Sequence, residues 1–111
     1  MVYEEVFDCT LRADPASVRV VLRGELDADC AERVEQILSE AVERTTGDLV
    51  IDVSDLTFLS ACGVGSLAVT VDRLAARGGV VRLVGAGPLV MRVLTVTELD
   101  QRIELEPSTS L

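Results

Sequence analysis

Short apolar runs alternate along the chain with longer segments in which apolar residues recur at helical spacing. Residues 18–23, 49–53 and 80–84 are rich in Val, Ile and Leu, and their length and β-branched character predict strands. The runs at 49–53 and 80–84 are almost continuously apolar, a pattern typical of strands buried on both faces. Residues 2–11 have a less regular strand pattern, and a turn at 14–17 is expected to join them to the strand at 18–23 as a hairpin.

Three amphipathic segments separate the later strands. The first has its apolar positions between Ala31 and Val42; Asp27 or Asp29 is the expected cap, and Asp29 with Glu32 has the spacing of a capping box. The second runs from about residue 61 to 77 and stops at a pair of glycines. Its expected buried residues are Val64, Leu67, Ala68, Val71, Leu74 and Ala75. The third helix has a proline, Pro88, suited to its first position.

With a last short strand near residues 102–105, the order of elements is β-β-α-β-α-β-α-β. This order predicts an α/β fold, with a mixed, largely parallel sheet of about five strands and three crossover helices on one side. Residues 1–106 are expected to form a single domain, and residues 107–111 a short flexible tail. In such sheets the working surface lies where strands lead into helices, here residues 24–29, 54–63 and 85–88.

The charge of the chain limits its partners. The formal net charge is −9, from 19 Asp and Glu against 10 Arg, so the chain is expected to bind neither nucleic acid nor an anionic membrane surface. A basic protein partner would be attracted to it. No charged-then-apolar leader opens the chain, and three cysteines are too few for a disulfide framework. A cytoplasmic, reducing location is therefore expected.

Little in the sequence points to catalysis. The chain has no His, the commonest general base, and it shows no metal-ligand cluster and no Gly-x-Ser-x-Gly elbow. The glycine pairs at residues 63–65 and 85–87 lack the lysine and hydroxyl of a phosphate-binding loop, so turns and close packing explain them. We therefore expect no enzyme activity, no cofactor and no metal.

Two segments resemble a known family. Gly24-Glu25-Leu26-Asp27 leads into the first helix, and Asp55-Leu56-Thr57-Phe58-Leu59-Ser60-Ala61-Cys62-Gly63-Val64-Gly65 leads into the second. Both resemble the corresponding segments of the STAS domains of bacterial anti-sigma factor antagonists, and the similarity extends over nearly the whole chain, including the order of elements.

The resemblance implies a regulatory binding module. Such a domain binds an anti-sigma factor, a serine/threonine kinase with a histidine-kinase-like ATPase fold, and thereby frees a sigma factor for transcription. Phosphorylation at the start of the second helix then dissociates the complex. A monomer or weak dimer is expected. The partner-binding residues implied by the family match are Glu25, Asp27, Ala28, Asp29, Ser60, Ala61, Cys62, Gly63 and Val64.

The sequence departs from the family at the phosphorylation site. The family pattern is Asp-Ser-(Ser/Thr)-Gly with the first Ser as acceptor, and this chain has Ser60, Ala61, Cys62 and Gly63 at those positions. Ala61 has no hydroxyl and cannot accept phosphate. We therefore hypothesise a chain that is permanently competent to bind or is regulated by other means. Ser60 is either a substitute acceptor or a helix N-cap.

Two further alternatives stay open. Cys30 and Cys62 both fall in first turns of predicted helices, where thiol pKa values are lowered, so they form either a redox pair or small replacements for Ser or Thr; Cys9 is expected in the core. The alternative function is a STAS accessory subunit of a membrane transport complex, docked onto a transporter ATPase. The motif at residues 24–27 favours the first function.

Overall fold

The computed structural model describes residues 7–14 and 17–107. The predicted strand residues 2–6, turn residues 15–16 and tail residues 108–111 lie outside these described residues. The elements follow the predicted order: β1 (Phe7–Asp14), β2 (Ser17–Leu26), a 3₁₀ turn (Ala28–Cys30), α1 (Ala31–Arg44), β3 (Leu49–Leu59), α2 (Ala61–Ala75), β4 (Val81–Val84), α3 (Pro88–Val96), a second 3₁₀ turn (Leu99–Arg102) and β5 (Glu104–Glu106).

The five described strands form one mixed sheet in the order β1-β2-β3-β4-β5. β1 and β2 are antiparallel, which confirms the predicted hairpin, and the pairs β2–β3, β3–β4 and β4–β5 are parallel. Each crossover connection joins a strand to its immediate neighbour in the sheet, and all three connections proceed in the same direction across the sheet. Right-handed connections of this kind place all the crossover helices on one face of the sheet.

Burial along the strands follows this one-sided arrangement. Val20, Leu22, Ile51, Val53 and Leu83 are almost fully buried and form the core beneath the helices. Burial of these and the other core side chains supplies the main driving force for folding, at roughly 25 cal/mol per Å² of apolar surface.

The prediction that residues 49–53 are buried on both faces is wrong. Val50 and Asp52 alternate with the core residues of β3, and both are only half-buried. No described helix covers their face of the sheet, so polar partners replace an apolar layer. Asp52, for example, forms a 3.0 Å ion pair with Arg19 of β2.

The structure corrects three details of the helices. The predicted capping box of Asp29 with Glu32 is absent from the described residues, because Cys30 is the N-cap of α1 and the box is formed one turn earlier. α2 ends at Ala75, which is exposed, rather than at residue 77. Buried positions of α2 include Ser66 and Thr70, which an apolar pattern cannot reveal. Pro88 begins α3 as predicted.

Several strand boundaries also differ from prediction, including those of β3 and β5. β3 continues six residues beyond Val53, to Leu59, because Leu56 and Leu59 are buried while Thr57 and Phe58 between them are exposed. β5 covers residues 104–106, since residues 99–102 form a 3₁₀ turn. The longer β3 carries its end up to the start of α2.

Candidate functional site

The ends of β2 and β3 bring the two sequence motifs together. Leu26 and Leu59 are paired in the parallel register, and the backbone N–H of Ser60 donates to the Leu26 carbonyl at 2.9 Å. Asp27 and Ala61 are the next residues after these hydrogen-bonded positions. The acidic turn and the start of α2 therefore lie side by side at one edge of the sheet.

The acidic turn is held by a reciprocal cap. The Asp27 carboxylate accepts from the backbone N–H of Asp29 at 3.0 Å, and the Asp27 N–H donates to the Cys30 Sγ at 3.3 Å. These contacts satisfy backbone N–H groups that would otherwise lack partners at the start of a helical turn. Asp27 is half-buried, whereas Ala28 and Asp29 are exposed.

The start of α2 has an exposed, uncharged first turn. Ser60 is the N-cap, and its hydroxyl oxygen accepts from the Gly63 N–H at 3.2 Å. This contact confirms the N-cap role predicted for Ser60. Ala61 and Cys62 follow, and both side chains are exposed. The positive end of the helix dipole therefore meets the surface at Ala61.

Gly63, which the family match assigns to partner binding, is buried in the first turn of α2. A Cβ atom at this position would lie 2.6 Å from Leu26 Cδ2 and 2.7 Å from Leu59 Cδ1. Glycine is therefore required for α2 to pack closely on the ends of β2 and β3. Val64 is half-buried and packs against the core, so a smaller fraction of it is exposed than of Ala61.

Phe58 was not assigned to the site from the sequence. It pairs with Glu25 in the β2–β3 register and is 42% exposed. The signal was present in the motif, but the predicted strand ended at residue 53. Together the outward-facing residues of this edge form what we call the junction surface: Glu25, Asp27, Ala28, Asp29, Phe58, Ser60, Ala61 and Cys62.

The third predicted junction, residues 85–88, follows β4. It lies beside the middle of β3, away from the end of β3 where the other two junctions meet. Gly85 has φ +78°, and a Cβ atom there would lie 2.1 Å from Ser54 Oγ. Its N–H donates to the Glu106 carbonyl at 2.9 Å. Gly85 thus extends the contact between β4 and β5, and the junction surface is built from the ends of β2 and β3, the acidic turn and the start of α2.

The cysteines differ in their surroundings. Cys9 is half-buried beside the core, Cys30 is buried and Cys62 is exposed. Burial raises the pKa of the Cys30 thiol, and the neighbouring Asp27 carboxylate adds to this rise. The expectation of a lowered thiol pKa at this helix start is therefore wrong for Cys30, because desolvation disfavours the thiolate.

No group of three or more His, Cys, Asp or Glu residues within residues 7–14 and 17–107 is arranged to hold a metal ion. No helix in the described part of the chain is long and apolar enough to span a membrane.

The exposed residues at the junction surface are small, acidic or aromatic, a combination suited to contact with another protein.

The chain is similar in sequence to known proteins. A family model described as "Mlab, STAS domain" matches residues 9–107. The candidate anti-anti-sigma factor Rv2638 of Mycobacterium tuberculosis is 30% identical over 105 residues, which cover 89% of this chain and 71% of that protein.

Solved structures share the fold. An anti-sigma factor antagonist from Mycobacterium paratuberculosis superposes with a TM-score of 0.82 at 29% identity, over 93% of this chain and 87% of that one. The anti-sigma factor antagonist SpoIIAA of Bacillus, in its unphosphorylated form, has a TM-score of 0.79 at 23% identity, over 93% of this chain and 90% of that one. At this lower identity the likeness concerns the fold alone.

Proposed function

The chain belongs to the STAS domain family, and from this premise we propose that it acts as an anti-sigma factor antagonist. Its partner is an anti-sigma factor kinase of the histidine-kinase-like ATPase fold, and its binding releases a sigma factor. One observation carries the proposal: Ala61 is exposed at the first position of α2, directly beside the acidic turn at Asp27. A partner reaches both features at once.

The charge state of the α2 start decides binding. A phosphate in the first turn of α2 would add roughly −1.5 to −2 charges at pH 7. At a desolvated interface such a charge is costly unless the partner pairs it. SpoIIAA has been solved in both unphosphorylated and phosphorylated forms, so phosphorylation occurs in a protein of the same fold. Ala61 keeps the neutral form permanently in this chain.

The neighbouring residues add contacts of two kinds. Glu25, Asp27 and Asp29 present carboxylates that attract a basic surface on the partner and speed its association. Phe58 presents an aromatic ring that is 42% exposed, and rings of this kind often anchor protein interfaces. The chain itself performs no chemistry in this scheme: it occupies a surface of the anti-sigma factor.

The proposal is tested by restoring the hydroxyl. The wild-type chain and an Ala61→Ser variant are each incubated with ATP and the purified kinase-type anti-sigma factors of the source organism, and intact masses are measured. We expect the variant to gain one phosphate at residue 61 and to leave its partner, while the wild-type chain stays bound and unmodified. Phosphate on Ser60 of the wild-type chain would overturn the proposal that the chain is permanently unphosphorylated and competent to bind.

The same preparation separates the two candidate partners. The transport-subunit alternative predicts a stable complex with a transporter ATPase and none with a kinase-type anti-sigma factor. Binding of each purified ATPase to the immobilised chain is therefore measured side by side. A complex with the transporter ATPase alone would overturn the proposed function.

A further inference from the structure

A groove of about 670 Å³ runs between α1 and α2 on the outer surface of the helical layer. Its walls are residues 32–43 of α1 and residues 66–73 of α2, and we call it the α1–α2 groove. At 1.5 Å per residue the α1 wall is about 17 Å long. The α2 wall begins one helical turn after Cys62, so the groove opens next to the junction surface.

Buried residues form the floor of the α1–α2 groove. Leu38 is 1% exposed at its base. The buried hydroxyls of Ser66 and Thr70 donate to the carbonyls of Cys62 and Ser66, within their own helix, at 3.2 and 3.0 Å. Their protons are therefore already used. Val69 adds an aliphatic wall that is 57% exposed, so the groove is suited to aliphatic side chains.

The rim of the groove is acidic. Glu32, Glu35 and Glu43 line it and are exposed, and none of them forms an ion pair with any residue in ranges 7–14 and 17–107. Glu40 is the exception, because it pairs with Arg44 of the same helix at 2.7 Å. The chain as a whole has a formal net charge of −9. An occupant with positive charges flanking an aliphatic row is the complement of this rim and floor.

We propose that the α1–α2 groove binds a basic amphipathic helix, about three turns long, of a partner protein. Both walls are helices that satisfy their backbone groups internally, so they offer no edge to an extended peptide. A helix also satisfies its own backbone, and it nests between two neighbouring helices as a third ridge. A second copy of this chain is a poor occupant, because two chains of charge −9 repel each other. The inference goes beyond the proposed function, since it holds for either class of ATPase partner.

Arg73 gives the groove a polarity. Its guanidinium donates to Ser39 Oγ at 2.9 Å at the end of the groove far from Cys62. An incoming lysine or arginine row is therefore attracted most strongly to Glu32 and Glu35, in the part of the groove nearer the junction surface. We expect the aliphatic row of the occupant to contact Val69.

The test uses a defined peptide with the isotopically labelled full chain. The probe is an acetylated and amidated helix of about 14 residues, with Leu along one face and Lys beside it; the matched peptide carries Glu in place of Lys. At about 150 mM salt, where surface charges are screened beyond about 8 Å, we expect the Lys peptide to shift the amide signals of residues 32–43 and 66–73. The Glu peptide is expected to shift none of them.

Matched variants separate the groove from bulk charge. A Glu35→Lys/Glu43→Lys variant and a control Asp55→Lys/Glu98→Lys variant change the net charge by the same amount at exposed positions. We expect the groove variant to lose at least about tenfold in affinity and the control less than about threefold. Val69→Asp is expected to weaken binding as well, while Val69→Leu preserves it. Equal losses in both charge variants, shifts outside the groove or no binding of the Lys peptide would overturn the inference.

Discussion

The backbone N–H of Ser60 donates to the Leu26 carbonyl at 2.9 Å, and this hydrogen bond joins the end of β2 to the start of α2. Residues far apart in the chain become neighbours through it. Asp27 follows the acceptor and Ala61 follows the donor, so an acidic turn and a neutral helix start share one surface. The junction surface therefore depends on the packing beneath it as much as on its exposed residues.

The packing beneath the junction surface is tested at Gly63. Gly63→Ala forces a methyl group to within 2.6 Å of Leu26 Cδ2, and crowding of this kind costs about 1–3 kcal/mol. Gly65→Ala is the matched control, because a Cβ atom there meets nothing within 4 Å and alanine favours the helix by about 1 kcal/mol. We expect urea denaturation to show Gly63→Ala as the less stable variant. A Gly63→Ala variant as stable as Gly65→Ala would contradict the close approach of α2.

Asp27 is expected to have separate roles in stability and in binding. Asp27→Asn retains the oxygen that accepts from the Asp29 N–H and should leave the free energy of unfolding nearly unchanged. Asp27→Ala removes the cap and should cost about 1 kcal/mol. Binding of the anti-sigma factor should weaken in both variants, since both lose the negative charge. Undiminished binding of Asp27→Asn would show that the negative charge of Asp27 does not contribute to binding of the partner.

The thiols are expected to react at different rates. Cys62 is exposed, whereas Cys30 is buried and burial raises its pKa, so little reactive thiolate forms there. Alkylation with iodoacetamide, followed by mass spectrometry of peptides, should modify Cys62 at least about tenfold faster than Cys30. Cys62→Ser should abolish that fast modification. A Cys30–Cys62 disulfide found without reductant would contradict this prediction and revive a redox switch.

Acid is expected to weaken the open face of the sheet at Asp52. Burial raises the pKa of this carboxyl, but hydrogen bonds from Ser54 and from Arg19 outweigh it, and the net pKa is lowered. The associated stability is present above the unfolded-state pKa of about 3.9 and is lost as the pH falls through the lower folded-state value. Asp52→Asn should therefore reduce the loss of stability between pH 7 and strongly acid pH. If urea titrations give Asp52→Asn the same pH dependence of the free energy of unfolding as the wild-type chain, the prediction is contradicted.

The sequence predicted the order of elements well because each strand and helix has its own period. The hairpin, the parallel strands and the start of α3 at Pro88 all follow from local patterns. Two features depended on tertiary contacts and could not be predicted. Ser66 and Thr70 are buried because that side of α2 packs beside α1, and β3 extends to Leu59 because Leu56 and Leu59 reach the core.

The candidate site was predicted in outline and corrected in detail. Parallel strands predicted that the segments around Asp27 and Ala61 would share an edge, and the β2–β3 register bears this out. Gly63 belongs to the packing beneath the edge, because only the fold shows which side of α2 meets Leu26. Phe58 belongs to the junction surface because β3 extends beyond its apolar run and leaves this side chain exposed.

The neutral start of α2 is tested most directly by one pair of substitutions of equal size. Ala61→Asp adds a carboxylate, and Ala61→Asn adds the same volume without charge. Neither should unfold the chain, because the Ala61 side chain is exposed and an acidic residue is favourable in the first turn of a helix. Any change in binding then reports on the interface itself.

The decisive measurement is the affinity of each variant for the purified anti-sigma factor by isothermal titration calorimetry. We expect Ala61→Asn to bind within about threefold of the wild-type chain and Ala61→Asp to lose at least about tenfold, because an unpaired charge is costly at a desolvated interface. Wild-type affinity in the Ala61→Asp variant, or an equal loss in both variants, would contradict a docking surface governed by the charge at this position.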